Sequence, residues 1–446
     1  MTRDEIIGAI ETVLRERLNN KHMADFSAVS RLNEDLYLDS VLMLELMLGV
    51  ELEHGLSLPE RSFGRQDLTS VGDLADLYLE NQGPIDAPAR KPSPEPAFER
   101  AEQEAAERLG VHGEDYIDIK VHCVVSNLSH AVKRAGLDHR PFFFGVWDAD
   151  FSVDDRWRLA YHAPGIDHDF YWSWFTRLYG PQVRPWYRAD HSKAQNVETL
   201  LSLLKAKARS EFVIVMLDLF HLPERENKFN QNPFPHYLML EEAADDTMFQ
   251  VYDPDFRWEG EIEKEKVINA IMQPTVAGGY IFDSAKISRP SPETLRDYFL
   301  ACFREEETPF TSAVRAIAQA HLDQRDGVQL ADLATALREL PVLAIRKYAL
   351  EHGFAFFWRW LKFSNAEFDV ICDDIEALIQ ELKSSHYSVL KLAESGKPTY
   401  AAELFTKLDA AEALEKRLKR QLAQVYRIWC DANGLAHVPY QGASAA

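Results

Sequence analysis

The chain has 446 residues, of which 46% are hydrophobic and 27% charged, so it is a globular protein too long for one ordinary hydrophobic core. We therefore predict two or three domains. The formal net charge of −22 argues against a nucleic-acid partner and against an anionic membrane surface, and it is compatible with a basic partner or a cationic substrate.

Neither a targeting segment nor a disulfide framework is indicated. The first residues lead into an amphipathic helix rather than an apolar signal sequence, and no stretch reaches the roughly 20 apolar residues of a membrane-spanning helix. The four cysteines are far apart and form no CxxC pair: Cys123, Cys302, Cys372 and Cys430. This spacing fits neither a disulfide scaffold nor a zinc site, so we expect a cytoplasmic protein without membrane association.

Residues 1–83 are predicted to form a small, acidic helical domain. Apolar residues recur at helical spacing over 4–18, and a last helix begins near residue 70. Between them a second helix starts near Ser40, with Leu42, Leu46 and Val50 on one face. Residues 1–82 hold sixteen acidic and seven basic side chains, which suits a domain that visits several partner enzymes.

Ser40 follows an aspartate and stands at the start of the second helix, where N–H groups and the helix dipole favour an anion. The same pattern is typical of an ordinary N-cap formed by Asp39 or Ser40. In its acidic three-helix context, however, the segment resembles an acyl or aryl carrier protein, with Asp-Ser-Val in place of the family's usual Asp-Ser-Leu. The resemblance implies that a phosphopantetheinyl transferase attaches 4′-phosphopantetheine to Ser40, and that an adenylating aryl or acyl ligase loads it.

Residues 84–100 are predicted to be a linker because they are rich in proline: Pro84, Pro88, Pro92, Pro94 and Pro96. A semi-extended segment of this composition advances about 3.1 Å per residue and reaches on the order of 50 Å. Such a tether typically gives a millimolar effective concentration, so the first domain would present its cargo to the next one without free diffusion.

Residues 101–288 are predicted to form an α+β domain in which Cys123 is the candidate nucleophile. Cys123 stands where an apolar strand or loop turns into a helix, and the amides and dipole of a helix N-terminus lower the pKa of a thiol. An inert buried cysteine is the competing interpretation, and it is the one we give to the three other cysteines.

A predicted β-hairpin supplies the partners of Cys123. Residues 234–240 and 247–253 read as two strands around a polar turn. A symmetric hairpin places His236 directly opposite Asp253, with both side chains on one face. An aspartate in this position fixes the tautomer of the histidine and stabilises its imidazolium, although a one-residue register slip would separate the pair.

Three stretches together resemble a family of papain-like acyltransferases that pass an acyl group from a carrier protein to an amine. They are residues 121–123 with the following helix, residues 142–148, and residues 230–237 with 252–255. The family acts in butirosin assembly and in petrobactin siderophore assembly, where the carrier and the transferase are commonly separate proteins. The resemblance implies a dihydroxybenzoyl-like donor and a polyamine acceptor such as spermidine or a spermidine–citrate conjugate.

By matching positions, the resemblance makes Cys123 the nucleophile, His236 the base and Asp253 the orienting acid. The chain departs from the family in one respect: no glutamine lies just before the cysteine, where papain-like enzymes carry one as an oxyanion donor. We therefore expect backbone N–H groups, including that of Cys123, to bind the oxyanion, with Asn232 as a candidate second donor.

The rest of the catalytic segment carries aromatic residues that we assign mainly to the core, with some as candidate walls of an aryl pocket. Four polar residues in the same region have no familiar metal-site spacing, so no metal is assigned: His162, His168, Asp169 and His191.

Residues 289–436 are predicted to be helical, with helices at 292–305, 309–323, 330–352, 354–362, 366–386 and 399–431. The aromatic stripe from Phe354 to Trp360 is interpreted as core or as a homodimer contact, and residues 437–446 as a disordered tail.

The fold class is therefore multidomain α+β: a helical carrier bundle, a papain-like catalytic domain and an all-helical C-terminal region. The favoured function is amide-forming transfer of a carrier-bound acyl group to an amine, through an acyl-enzyme on Cys123 or by direct attack of the amine. Two alternatives stay open: a thioesterase or cysteine peptidase that uses the same three residues with water, and a non-catalytic carrier scaffold.

Overall fold

The computed structural model describes residues 1–437 except 24–25, 33–34, 39, 57, 59–68, 81–120, 164, 167 and 226–230, and it does not describe the side chains of Ser40, Val41 and Leu44. The predicted linker and the tail beyond His437 lie outside these residues. Among the described residues, no helix is long and apolar enough to cross a membrane.

The N-terminal domain is a helical bundle, as predicted. Helix α1 (Arg3–Thr12) continues as a π-helix (Val13–Arg17), and α2 (Ser40–His54) and α3 (Val71–Glu80) pack on it. Its buried core is drawn from all three helices, including Ile6, Ile10, Leu46, Val50 and Leu74. The apolar spacing that predicted these helices is therefore the spacing that fills the core.

In the described part of residues 121–288, the catalytic domain combines four α-helices with eight strands. The helices are α4 (Cys123–Arg134), α5 (Asp169–Tyr179), α6 (Lys193–Ala206) and α7 (Lys264–Met272). The strands are β1 (Ser152–Val153), β2 (Leu159–Ala160), β3 (Arg184–Pro185), β4 (Glu211–Asp218), β5 (Pro235–Glu242), β6 (Met248–Asp253), β7 (Trp258–Glu263) and β8 (Gly279–Asp283). Strands β3 to β8 form one antiparallel sheet in the order β3-β8-β4-β5-β6-β7, with α4 packed against β5.

The hairpin of β5 and β6 forms, but the predicted register is wrong by two residues. Met239 pairs with Tyr252, which places Asp253 across from position 238 rather than across from His236. The cause is the length of β5, which continues two residues beyond its predicted end, to Glu242. Because strand side chains alternate with a period of two, a two-residue shift keeps His236 and Asp253 on one face as diagonal neighbours.

The C-terminal region is all-helical, as predicted. It consists of α8 (Pro292–Cys302), α9 (Pro309–Leu322), α10 (Leu333–Ala336), α11 (Leu340–Ala344), α12 (Ala349–Leu361), α13 (Asn365–Ser395) and α14 (Pro398–Ala432). The helix predicted over 330–352 is broken into short pieces, since Pro341 lacks the N–H that a continuous helix needs. Of the aromatic stripe, Phe354 to Trp358 belongs to the core, while Trp360 is exposed.

Four buried charges join the catalytic domain to the C-terminal region. Lys347 Nζ lies 3.0 Å from Asp148 Oδ1 and 2.7 Å from Glu415 Oε1. Lys419 Nζ lies 2.6 Å from Asp148 Oδ2 and 3.1 Å from the same Glu415 oxygen. Buried charges are tolerated only when they are paired, so this cluster fixes how the two parts meet.

Candidate active site

Cys123 is the first residue of α4, and a remote carboxylate holds the start of that helix. The Asp255 Oδ1 atom accepts the backbone N–H groups of Val121 (3.2 Å) and His122 (3.1 Å) and the hydroxyl of Ser126 (2.5 Å). His122, in the N-cap position, has no capping bond from its own side chain. Asp255 therefore holds the two residues that precede Cys123 and, through Ser126, the first turn of α4.

A second polar contact ties the same helix to the strand that carries the histidine. The buried amide of Asn127 donates from Nδ2 to the carbonyl of Cys123 at 2.7 Å and to the carbonyl of Tyr237 at 2.8 Å. Tyr237 follows His236 on β5, so Asn127 sets the separation between the nucleophile helix and the histidine strand.

His236 and Asp253 form a fully buried pair. His236 Nε2 lies 2.9 Å from Asp253 Oδ1, and Arg225 donates to the other carboxylate oxygen at 2.9 Å. The Arg225 guanidinium stacks over the ring of Trp258 at 4.4 Å, which fixes its position. The carboxylate is thus held from both sides, and the imidazole turns its other nitrogen away from it.

The electrostatics favour a protonated His236. Burial by itself lowers the pKa of His236, but the charge and hydrogen bond of Asp253, with a further contribution from a side-chain hydrogen bond to Cys123, raise the pKa to about 9. Burial raises the pKa of Asp253, and this effect is outweighed by His236 and Arg225, so the pKa of Asp253 lies below its ordinary value. This arrangement supports a thiolate–imidazolium pair next to an ionised aspartate.

The half-buried Cys123 opens into a cavity walled by polar and aromatic side chains, among them Tyr161, His162, His168, Tyr237 and Arg346. Tyr161, one of the aromatic residues of this segment, lines the cavity, and its hydroxyl donates to the Pro235 carbonyl at 3.2 Å. Among the described residues, no group of three or more metal-ligating side chains is found.

Arg346 is a site residue that sequence reasoning missed. It belongs to the C-terminal region and is only 7% exposed, and its Nη1 donates to the carbonyl of Asp150 at 3.0 Å. The neighbouring Lys347 is held by the buried charge cluster, which places Arg346 in the wall of the cavity beside Cys123. No local sequence signal marks Arg346, since only the packing of distant helices brings it here.

The structure does not bring Asn232 to this cavity. Its side chain is exposed, next to a cis peptide bond to Pro233, and it is not among the residues around Cys123. Ser40 is the first residue of α2, as expected, although its side chain is outside the described atoms.

Comparison with known proteins matches both the segment that holds this site and the C-terminal region. Residues 118–287 match the DUF6005 N-terminal domain and residues 293–441 the DUF6005 C-terminal domain. A petrobactin synthase from Bacillus anthracis is 39% identical over 312 residues, which are 70% of this chain and 95% of that protein. The chain belongs to the petrobactin synthase family.

The acyl carrier protein AsbD, also from Bacillus anthracis, is 33% identical over 82 residues, which are 18% of this chain and 90% of that protein. Two separate proteins of one organism therefore correspond to parts of one fused chain here. The carrier resemblance and the transferase class expected from the sequence are both confirmed.

Proposed function

We propose that this chain forms an amide by moving an acyl group from its own carrier domain to an amine, with Cys123, His236 and Asp253 as catalytic residues. The observation that carries the proposal is the buried His236–Asp253 pair, together with Cys123 at the start of α4, which contributes to the raised pKa of the histidine. It lies in a chain similar to both a carrier protein and a petrobactin synthase.

Ser40 is the proposed attachment point of 4′-phosphopantetheine. The backbone fits this group, because α2 begins at Ser40 and the amides at a helix start favour a phosphate. When bound, the group supplies a terminal thiol that holds the acyl cargo as a thioester.

The proposed first half-reaction acylates Cys123. The Sγ atom bonds to the thioester carbonyl carbon, and its proton is held on His236 Nδ1 while Asp253 stabilises the imidazolium. The Cys123 N–H and the Arg346 guanidinium are proposed to stabilise the resulting oxyanion, in place of Asn232. Cleavage of the C–S bond to the carrier completes the step, with His236 donating its proton to the departing sulfur.

The second half-reaction transfers the acyl group. An amine nitrogen bonds to the carbonyl carbon of the acyl group on Cys123, His236 Nδ1 accepts a proton from that nitrogen, and the C–Sγ bond breaks to leave the amide and the Cys123 thiolate. Following the resemblance, we propose a dihydroxybenzoyl-like donor and spermidine or a spermidine–citrate conjugate as acceptor. The net charge of −22 supports a cationic acceptor. A phosphopantetheinyl transferase and an adenylating ligase are the proposed partner enzymes.

Intact-protein mass spectrometry tests this proposal directly. The chain is loaded at Ser40 with a dihydroxybenzoyl group, spermidine is added, and wild type is followed beside Cys123→Ala, with Cys302→Ala as the matched control. We expect wild type and the control to discharge the aryl mass as spermidine amide, and Cys123→Ala to retain it on Ser40.

Each of the alternative results contradicts one part of the proposal. Equal discharge by Cys123→Ala means that the amine attacks the carrier thioester directly. Free acid in place of amide would make the protein a thioesterase. A Ser40 that accepts no phosphopantetheine removes the carrier assignment.

A further inference from the structure

The carrier domain packs against α13 of the C-terminal region through the far end of α2. Tyr387 on α13 is 2% exposed and belongs to the buried apolar cluster of the carrier domain, with Leu390 packed against the same cluster. The Tyr387 hydroxyl donates to Glu51 Oε2 at 2.7 Å. An aromatic side chain that completes the core of another domain indicates a specific contact.

Charged pairs surround this aromatic anchor. Lys391 Nζ lies 3.7 Å from Glu51 Oε1, and Arg17 forms an ion pair with Glu394. Arg17 also lies 3.3 Å from Glu53 on its own domain. Glu51 of α2 thus faces Lys391 of α13, and Arg17 of the carrier domain faces Glu394 of the same helix. The charges are therefore complementary across the contact.

A glycine in α2 makes the position of Arg17 possible. A Cβ atom at Gly49 would lie 2.5 Å from Val13 Cγ1 and 2.9 Å from Arg17 Cδ. The close crossing of the π-helix over α2 therefore requires glycine at this position, next to the side chain of Arg17. The contact is built into the carrier domain rather than added by an adaptable surface side chain.

The contact uses the end of α2 opposite to the proposed attachment site. Glu51 comes eleven residues after Ser40, which corresponds to about 16 Å along the axis of an α-helix. Holding the domain by this end orients α2 without using the helix start that carries the cargo.

We propose that the α13 surface formed by Tyr387, Leu390, Lys391 and Glu394 is the docking site that holds the carrier domain during acyl transfer. This inference rests on the proposed function for its catalytic consequence. A linker alone sets how often two domains meet, whereas a docking site also sets their orientation, so the docked carrier transfers faster than a merely tethered one.

The test uses charge reversal in the full-length chain. Glu394→Arg and Arg17→Glu each place like charges across the contact, and the double variant restores an ion pair with reversed polarity. Asp373→Arg, an exposed residue of the same helix, is the matched control. Hydrogen exchange of residues 384–395 and 46–54 reports docking, and single-turnover transfer from Ser40 reports its consequence.

We expect each single variant to raise exchange in both segments and to slow transfer roughly two- to fivefold, the effect of one partly exposed ion pair. The double variant should recover both readouts in part, because the acid at position 17 regains a cationic partner across the contact but lies beside Glu53, and Asp373→Arg should change neither. Unchanged exchange in the single variants overturns the docking site. Faster transfer in them overturns its productive role, because the contact would then hold the carrier away from the reaction. If the variants change hydrogen exchange as expected but the wild type forms no amide, the proposed function is contradicted and the docking contact is still supported.

Discussion

Replacing Asp253 with asparagine should lower the pH at which His236 loses its proton. Asparagine keeps an oxygen near His236 Nε2 but removes the charge that opposes desolvation. With Asp253 the pKa of His236 is about 9, and burial alone would lower it below the ordinary 6.5. The interval from 6.5 to 9 corresponds to about 3 kcal/mol of preference for the imidazolium.

The pH–rate profile measures this effect. In the acylation step, its alkaline limb should lie near pH 9 in wild type and should move to a clearly lower pH in Asp253→Asn.

Asp246→Asn, an exposed change in the β5–β6 turn, controls for the loss of a carboxylate. Arg225 remains buried without its acidic partner in Asp253→Asn, which lowers the folding stability by roughly 1–3 kcal/mol but does not move the alkaline limb. An alkaline limb that stays near pH 9 in Asp253→Asn would refute the reasoning, since the proton would then be held by something other than this carboxylate.

Three further predictions concern residues that support the site. Arg346→Gln should lower kcat about 10- to 100-fold with little change in KM, and Arg346→Lys should recover part of it, as steady-state kinetics will show; a change confined to KM would contradict an oxyanion role. Asp255→Asn should lower both the acylation rate and the stability, by about 1–2 kcal/mol in urea unfolding, because it weakens the hold on the start of α4; an unchanged rate would separate this residue from the site. Asp148→Ala leaves Lys347 and Lys419 sharing one buried carboxylate, so it should lower the free energy of unfolding by roughly 3–5 kcal/mol in denaturant titration. A loss below 1 kcal/mol would mean that the cluster does not hold the domains together.

Local features of this protein were readable from the sequence because local interactions produce them. Apolar spacing places α2 at Ser40 and α4 at Cys123, since a helix begins where its periodic face begins. Alternation along two strands places His236 and Asp253 on one face. That result survives the error in register, because a shift of two residues preserves the face while a shift of one would not.

Only the tertiary structure decided how these elements meet. The registration of β5 on β6 depends on how far the strands extend within the sheet, and the position of α4 depends on the carboxylate of Asp255 and the amide of Asn127. Arg346 reaches the cavity because buried charges dock the C-terminal region onto the catalytic domain. Contacts between segments far apart in the chain leave no periodic trace in the sequence, because packing and the pairing of buried charges select them only when the whole chain has folded.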